Sequence, residues 1–174
     1  PSGLDYERLT PDDMIVTDMD LNLVEGKYRP SVALNLWTGF LRARPELNSV
    51  IHTHSPYATA FSVVYQSIPV ITETMAAWFG QPVPVTRYLS VEDPAFPPLP
   101  VEVMGDGYAV LLGNHGPVTV GKTLEHALER AVTLEEAART YSIARTISVP
   151  VPLTDEQAHA SFDYYHNRYG QRKS

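Results

Sequence analysis

Cysteine is absent from the chain, so neither a disulfide frame nor a thiolate zinc site can be built, and any metal must rest on histidine, aspartate or glutamate. Positive charge is scarce as well. The 13 Lys+Arg stand against 20 Asp+Glu, a net charge of −7, which removes the basic footprint a nucleic-acid backbone requires. No apolar run approaches the roughly 18 residues that span a bilayer, and Pro1-Ser2-Gly3-Leu4-Asp5 has neither the basic nor the apolar region of a secretion signal. These absences predict no nucleic-acid partner, no membrane partner and a soluble cytoplasmic protein. Internal repeats, low-complexity tracts and charge blocks are missing too, so residues 1–174 are read as one domain, with 44% hydrophobic residues to fill a core. The chain opens in turn chemistry without Met, which leads us to expect an N-terminal segment upstream of it.

What is present alternates short β-like runs with helical patterns, which predicts α/β or α+β layers rather than a bundle or a sandwich. Met14 to Val24 reads as two short strands around a turn at Asp20 and Asn22, after a single helical turn begun by Thr10-Pro11-Asp12-Asp13. Leu34, Trp37, Phe40 and Leu41 have helical spacing and stop before Pro45. Asn48 to His54 reads as a strand running into a helix at Ser55-Pro56, with Tyr57, Ala60, Phe61 and Val64 on one face. Ser67 to Thr72 and Gln81 to Val85 read as short strands, Asp93 to Pro100 as an exposed proline loop, and Tyr108 to Leu112 as a buried strand ending in the turn Gly113 to Pro117. Leu124, Ala127, Leu128, Ala131, Leu134, Ala138 and Tyr141 form a long helical stripe, and Thr154-Asp155-Glu156-Gln157 is a capping box for a last helix bearing Phe162 and Tyr165.

Three histidines carry the chemistry. His52 and His54, at i and i+2 of a strand, project from one face, close enough to share a cation. An H-x-H pair also recurs by chance. His115 is a candidate third ligand, because its turn follows a buried strand and its glycines allow close approach; three imidazoles would leave a catalytic metal one open position. His126, His159 and His166 fall on helices among polar neighbours and read as surface residues.

Beyond this, the series Pro1-Ser2-Gly3, Tyr6-Glu7-Arg8-Leu9-Thr10, Glu25-Gly26-Lys27, Arg29-Pro30-Ser31, Arg42-Ala43-Arg44-Pro45, Val50-Ile51-His52-Thr53-His54 and Gly113-Asn114-His115-Gly116 resembles the class II aldolase/adducin family. Its tail at Tyr169-Gly170 is similar to that of the family's L-fuculose-1-phosphate aldolases. The resemblance implies a central, mostly antiparallel mixed sheet flanked by helices in three layers, and a family domain that starts a few dozen residues earlier. It also implies a cyclic homotetramer with sites at subunit interfaces, and a Zn2+ ion, with Mn2+ or Co2+ as alternatives, on His52, His54 and His115. The metal would polarise a ketose-phosphate carbonyl as a Lewis acid. Ser2, Gly3 and Ser31 would bind the phosphate through hydroxyl and N–H groups. Tyr88, from a neighbouring subunit, would protonate the leaving aldehyde oxygen, and Tyr169 would act from the tail.

One departure cuts across that pattern. Where family aldolases carry Pro-Ser-Ser-Glu, this chain reads Pro30-Ser31-Val32-Ala33, so the acid/base glutamate is Ala33. A positioned base supplies roughly 10²–10⁴-fold, so the expected activity is an impaired or altered zinc-dependent aldolase releasing dihydroxyacetone phosphate and an aldehyde from a ketose 1-phosphate. The alternatives are an L-ribulose-5-phosphate 4-epimerase, weakened by Ala77 where epimerases tend to place an acid, a metal-dependent decarboxylase, or a non-catalytic adducin-like oligomerisation module.

Overall fold

The computed structural model describes residues 1–170 and forms three layers around a small antiparallel sheet. The sheet order is β3 (Ser49–His52), β5 (Gly116–Gly121) and β4 (Ala109–Leu112), with β5 in the middle and antiparallel to both neighbours. A parallel bridge from Val85 to Leu111 makes the sheet mixed at that edge. Period-2 alternation splits the core in two. Ala109 and Leu111 face helices α2 (Pro56–Val63), α3 (Glu73–Phe79), α5 (Leu124–Ile147) and α6 (Asp155–Asn167), whereas Val110, Leu112, Val118 and Val120 face α1 (Leu34–Ala43) and α4 (Pro98–Met104). Leu36 and Phe40 of α1 are fully buried there, worth about 2 kcal/mol each in apolar area removed from water. An outlying pair, β1 (Val16–Thr17) with β2 (Leu23–Glu25), forms the expected hairpin.

The helix boundaries follow local chemistry. Thr72, Thr123 and Thr154 each accept a backbone N–H of the first turn of α3, α5 and α6, and Gln157 completes the capping box of the last. Thr10 and Asp13 make a second capping box on one 3-10 turn, as Thr10-Pro11-Asp12-Asp13 predicts.

Several readings of the sequence are corrected. The central strand β5 lies where only a turn and a helix were expected, because Gly116, Pro117 and Gly121 imitate punctuation; Pro117 sits beside the strand's first residue. The proline-rich stretch is not simply an exposed loop: Phe96 is buried and Pro98 opens α4, the helix position proline tolerates best. The runs 67–72 and 81–85 reduce to single bridges, Ile68 to Val83 and Val85 to Leu111. On α2 the buried side chains are Ala58, Phe61 and Ser62, and Tyr57 and Val64 face outward. On α5 Leu124 and Leu128 are exposed, and the buried stripe runs through Ala127, Arg130, Thr133, Leu134, Ala137 and Ala138. Among the described residues no helix is long and apolar enough to cross a membrane.

Candidate metal centre

β3 ends at His52, and Thr53 extends the ladder by one bond, donating its N–H to Pro117 O at 3.1 Å. His54 follows on the three-residue link to α2. Opposite, the β4–β5 hairpin turns through Asn114, whose φ of +54° asparagine tolerates, and His115 donates its N–H to Leu112 O at 3.0 Å. Gly116 lets these segments touch: a Cβ there would strike Thr53 O and come within 3.2 Å of the His54 ring.

The result is one cluster. One ring nitrogen from each of His52, His54 and His115 lies within 4.8 Å of the others, and ring centroids are 4.7–5.1 Å apart. His52 Nδ1 donates to Pro117 O at 3.0 Å, an acceptor with no proton of its own, so the lone pair of Nε2 points at His115 Nε2, 3.2 Å away. Two imidazole nitrogens on a tetrahedral zinc at about 2.0–2.1 Å lie about 3.4 Å apart, so the spacing fits a shared first-row ion. Burial pushes His52 down to about 4, against the pull of Pro117 O and helped by His115 and His54; burial and His54 lower His115 too. Both are therefore neutral at physiological pH, the form that ligates. His54 is exposed while the others are half-buried, so the cluster opens to solvent on one side.

Three contacts that sequence reading did not anticipate hold the cluster in place. Ser55, the N-cap of α2, makes no side-chain cap bond and Pro56 has no N–H; instead Glu135 of α5 accepts from Tyr57 N at 3.0 Å and Ala58 N at 2.9 Å. That carboxylate anchors the helix three residues after His54. The Tyr65 hydroxyl donates to the Asn114 side chain, and Asn114 N donates to Ser62 O at 3.2 Å, tying the His115 turn to α2. Gly113 N donates to Thr86 Oγ1 at 3.2 Å. Only the acid's position on an otherwise apolar helix face hinted at Glu135; nothing local hinted at Tyr65.

The remaining expected site residues fall in three places. Ser2 donates its N–H to Arg29 O at 2.9 Å, which sets the Ser2-Gly3 turn, with Gly3 at φ +71°, beside the Arg29 to Ser31 segment. Ser31 Oγ accepts from Ala33 N at 3.2 Å, and Ala33 is the N-cap of α1. Tyr88 is exposed on the segment after the Val85 bridge. Tyr169 lies against Tyr165, ring centroids 4.6 Å apart, and with Ala77, Trp78, Arg130 and His166 lines a cleft of about 480 Å³ between α3, α5 and α6. That cleft contains Ala77 and Tyr169 but none of the three clustered histidines. His126, His159 and His166 are exposed, as expected, although His126 and His166 border the cleft.

Comparison with known proteins adds a family. The model of the class II aldolase and adducin N-terminal domain matches residues 1–142. L-ribulose-5-phosphate 4-epimerase UlaF of Salmonella paratyphi B is 35% identical, across 99% of this chain and 78% of that protein. A solved L-fuculose 1-phosphate aldolase superimposes with a TM-score of 0.90 at 27% identity, covering 95% of this chain and 78% of that one. YgbL of Escherichia coli superimposes with a TM-score of 0.83 at 28% identity, covering 93% and 79%.

Proposed function

The chain belongs to the class II aldolase and adducin family, and from that premise we propose that it is a metal-dependent enzyme of phosphorylated sugars that breaks the bond between the carbons α and β to a carbonyl. The observation that carries the proposal is the cluster of His52, His54 and His115, their ligand atoms within 4.8 Å of one another, with burial lowering both His52 and His115. A zinc ion held there, or Mn2+ or Co2+, would supply Lewis-acid polarisation of the substrate carbonyl. His52 is pinned in the ligating tautomer by Pro117 O, and the exposed side of His54 leaves room for the substrate. The Ser2-Gly3 turn and Ser31, brought together by the Ser2 to Arg29 bond, would offer N–H and hydroxyl donors to the phosphate.

Two reactions use the same bond. In a ketose 1-phosphate with its carbonyl at C2, loss of the C4 hydroxyl proton and cleavage of C3–C4 releases an aldehyde and leaves dihydroxyacetone phosphate once C3 is reprotonated. In L-ribulose 5-phosphate the same cleavage, followed by rejoining on the other face of the aldehyde, inverts C4. We place aldol cleavage first, on the structural likeness to an L-fuculose 1-phosphate aldolase; the 35% identity to an epimerase favours the second reading. Both lack an acid here: Ala33 cannot shuttle a proton at the start of α1, and Ala77 cannot do so in the α3–α5–α6 cleft. Tyr169 is one of the proton-bearing groups that share the cleft with Ala77, and a cyclic homotetramer would bring one copy's cleft to the next copy's histidines; Tyr88 would reach across the same junction.

Elemental analysis of the purified chain and of His52→Ala tests the metal, and assays on L-fuculose 1-phosphate and L-ribulose 5-phosphate test the reaction. We expect about one metal per chain, lost in the variant, and retro-aldol turnover raised by Ala33→Glu. A chain that assembles normally yet takes up no metal on reloading would overturn the enzyme reading in favour of an oligomerisation module.

A further inference from the structure

Arg130 is a charged side chain with 3% of its surface exposed, buried at the wall of the α3–α5–α6 cleft. Buried charges are ordinarily paired. Arg130 is not: none of the five ion pairs among the described residues involves it. Its guanidinium donates from Nη1 to Val120 O at 2.8 Å and from Nε to Trp78 O at 3.3 Å, which uses two of its five N–H groups and supplies no counter-charge. The Tyr108 ring lies 3.7 Å from its central carbon and the Trp78 ring 5.7 Å, so aromatic faces replace the missing carboxylate in part. A second cation, Arg44, sits 5.8 Å from the same Tyr108 ring, and burial pushes Arg130 down to about 10. The cleft it borders measures about 480 Å³, a size that suits small ligands, and presents Trp78, Tyr165, His166 and Tyr169.

We infer that this cleft binds a small organic oxyanion, a carboxylate or a phosphate ester on a flat or sugar-like body, with Arg130 as the anchoring charge and Trp78, Tyr165 and Tyr169 as the stacking wall. The planar guanidinium fork matches both oxyanions, and aromatic faces hold the body without specifying its hydrogen bonds. The binding stands on the cleft alone; only its identification with the end of the sugar phosphate remote from the metal rests on the function proposed above. An enzyme reading its substrate this way would prefer sugars that carry a second acidic group.

The test uses the full chain stripped of metal with EDTA and labelled with ¹⁵N, and follows the indole N–H resonance of Trp78, assigned with Trp37→Phe. Benzoate, inorganic phosphate and the neutral isostere benzamide are titrated at constant ionic strength. Benzoate and phosphate should move the Trp78 signal saturably, benzoate at lower concentration because its ring can stack, and benzamide should bind at least about tenfold more weakly. Arg130→Gln should weaken benzoate about tenfold or more. Because that variant also loses two carbonyl contacts, Ala77→Glu serves as the second: a carboxylate within the cleft should pair with Arg130 and abolish anion binding while the guanidinium stays. Equal affinity for benzoate and benzamide, no saturable shift up to tens of millimolar, or unaltered benzoate binding in folded Ala77→Glu would each overturn the inference. Phosphate binding alone, without benzoate, would overturn the organic body and its stacking wall. Anion binding by a chain that never takes up metal would leave the cleft standing and bring down the metal enzyme; the reverse result would do the opposite.

Discussion

The sheet and the first 35 residues are built on opposite terms. From Ala109 to Gly121 every residue is buried except Asn114 and His115, and each strand is bonded on at least one side; from Pro1 to Asn35 no residue is buried at all. The N-terminal region is held by links near the surface, Lys27 to Asp13 at 3.3 Å, Arg42 to Asp20 at 2.9 Å and the Asp18–Asn22 loop bonds, which solvent and salt weaken. The difference separates two tasks. Metal ligands need positions fixed to a fraction of an ångström, and the histidines sit at the edge of the buried sheet, on the end of β3 and on the β4–β5 turn; the residues proposed to receive a phosphate sit on a segment with no buried residue.

The largest blow to the ordered half is Gly116→Ala. Its Cβ would meet Thr53 O, a backbone atom with nowhere to go, so β3 and the His115 turn must separate. We expect a loss of about 3–4 kcal/mol in denaturant unfolding together with loss of metal binding; stability within 1 kcal/mol of the parent would refute the close approach.

Acid acts next on the same half. Since the folded-state value of His52 is about 4 and the unfolded one near 6.5, the unfolded chain binds the proton first as pH falls. Metal-free protein should therefore lose at most about 3 kcal/mol between pH 6.5 and 4, with no further change from this group below that. Urea midpoints measured along the pH range check the slope, and His52→Gln should flatten it. Glu135→Gln is smaller still: one of two cap bonds to α2 is lost, for about 1 kcal/mol, with weaker cobalt binding by competition against a chelator. Unchanged cobalt affinity at reduced stability would confine Glu135 to the helix end.

How far the sequence revealed this depends on the range of each contact. The His52, His54 and His115 cluster was legible in part, because an H-x-H spacing and a glycine turn are local signals, although the strand expected to carry both His52 and His54 stops at His52; the Thr154 capping box and the Thr10 turn were legible for the same local reason. The strand carrying Pro117 was not, since its standing as the central strand comes from partners 65 residues upstream at His52 and just before it at Leu111. Helix α5 misled in the other direction: Leu124 and Leu128 fit an apolar stripe, while the face turned inward is Ala127, Arg130 and Leu134, with an arginine no hydrophobicity pattern would place inside. Glu135 and Tyr65 act across elements, on Tyr57 and Asn114, and no spacing announces such a pairing.

The smallest predicted effect lies in the exposed half and is the sharpest check on the contrast. Val24, in β2, is 66% exposed, as its strand neighbours Leu23 and Glu25 are also exposed. Val24→Thr keeps the β-branch that suits a strand, so in a dilute sample it should alter stability by less than about 0.5 kcal/mol. Amides of residues 14–25 should exchange fastest in that sample, and those of 109–121 slowest. A loss above 1 kcal/mol, or protection of 14–25 that grows with protein concentration, would mean that this segment acquires its core from a second copy.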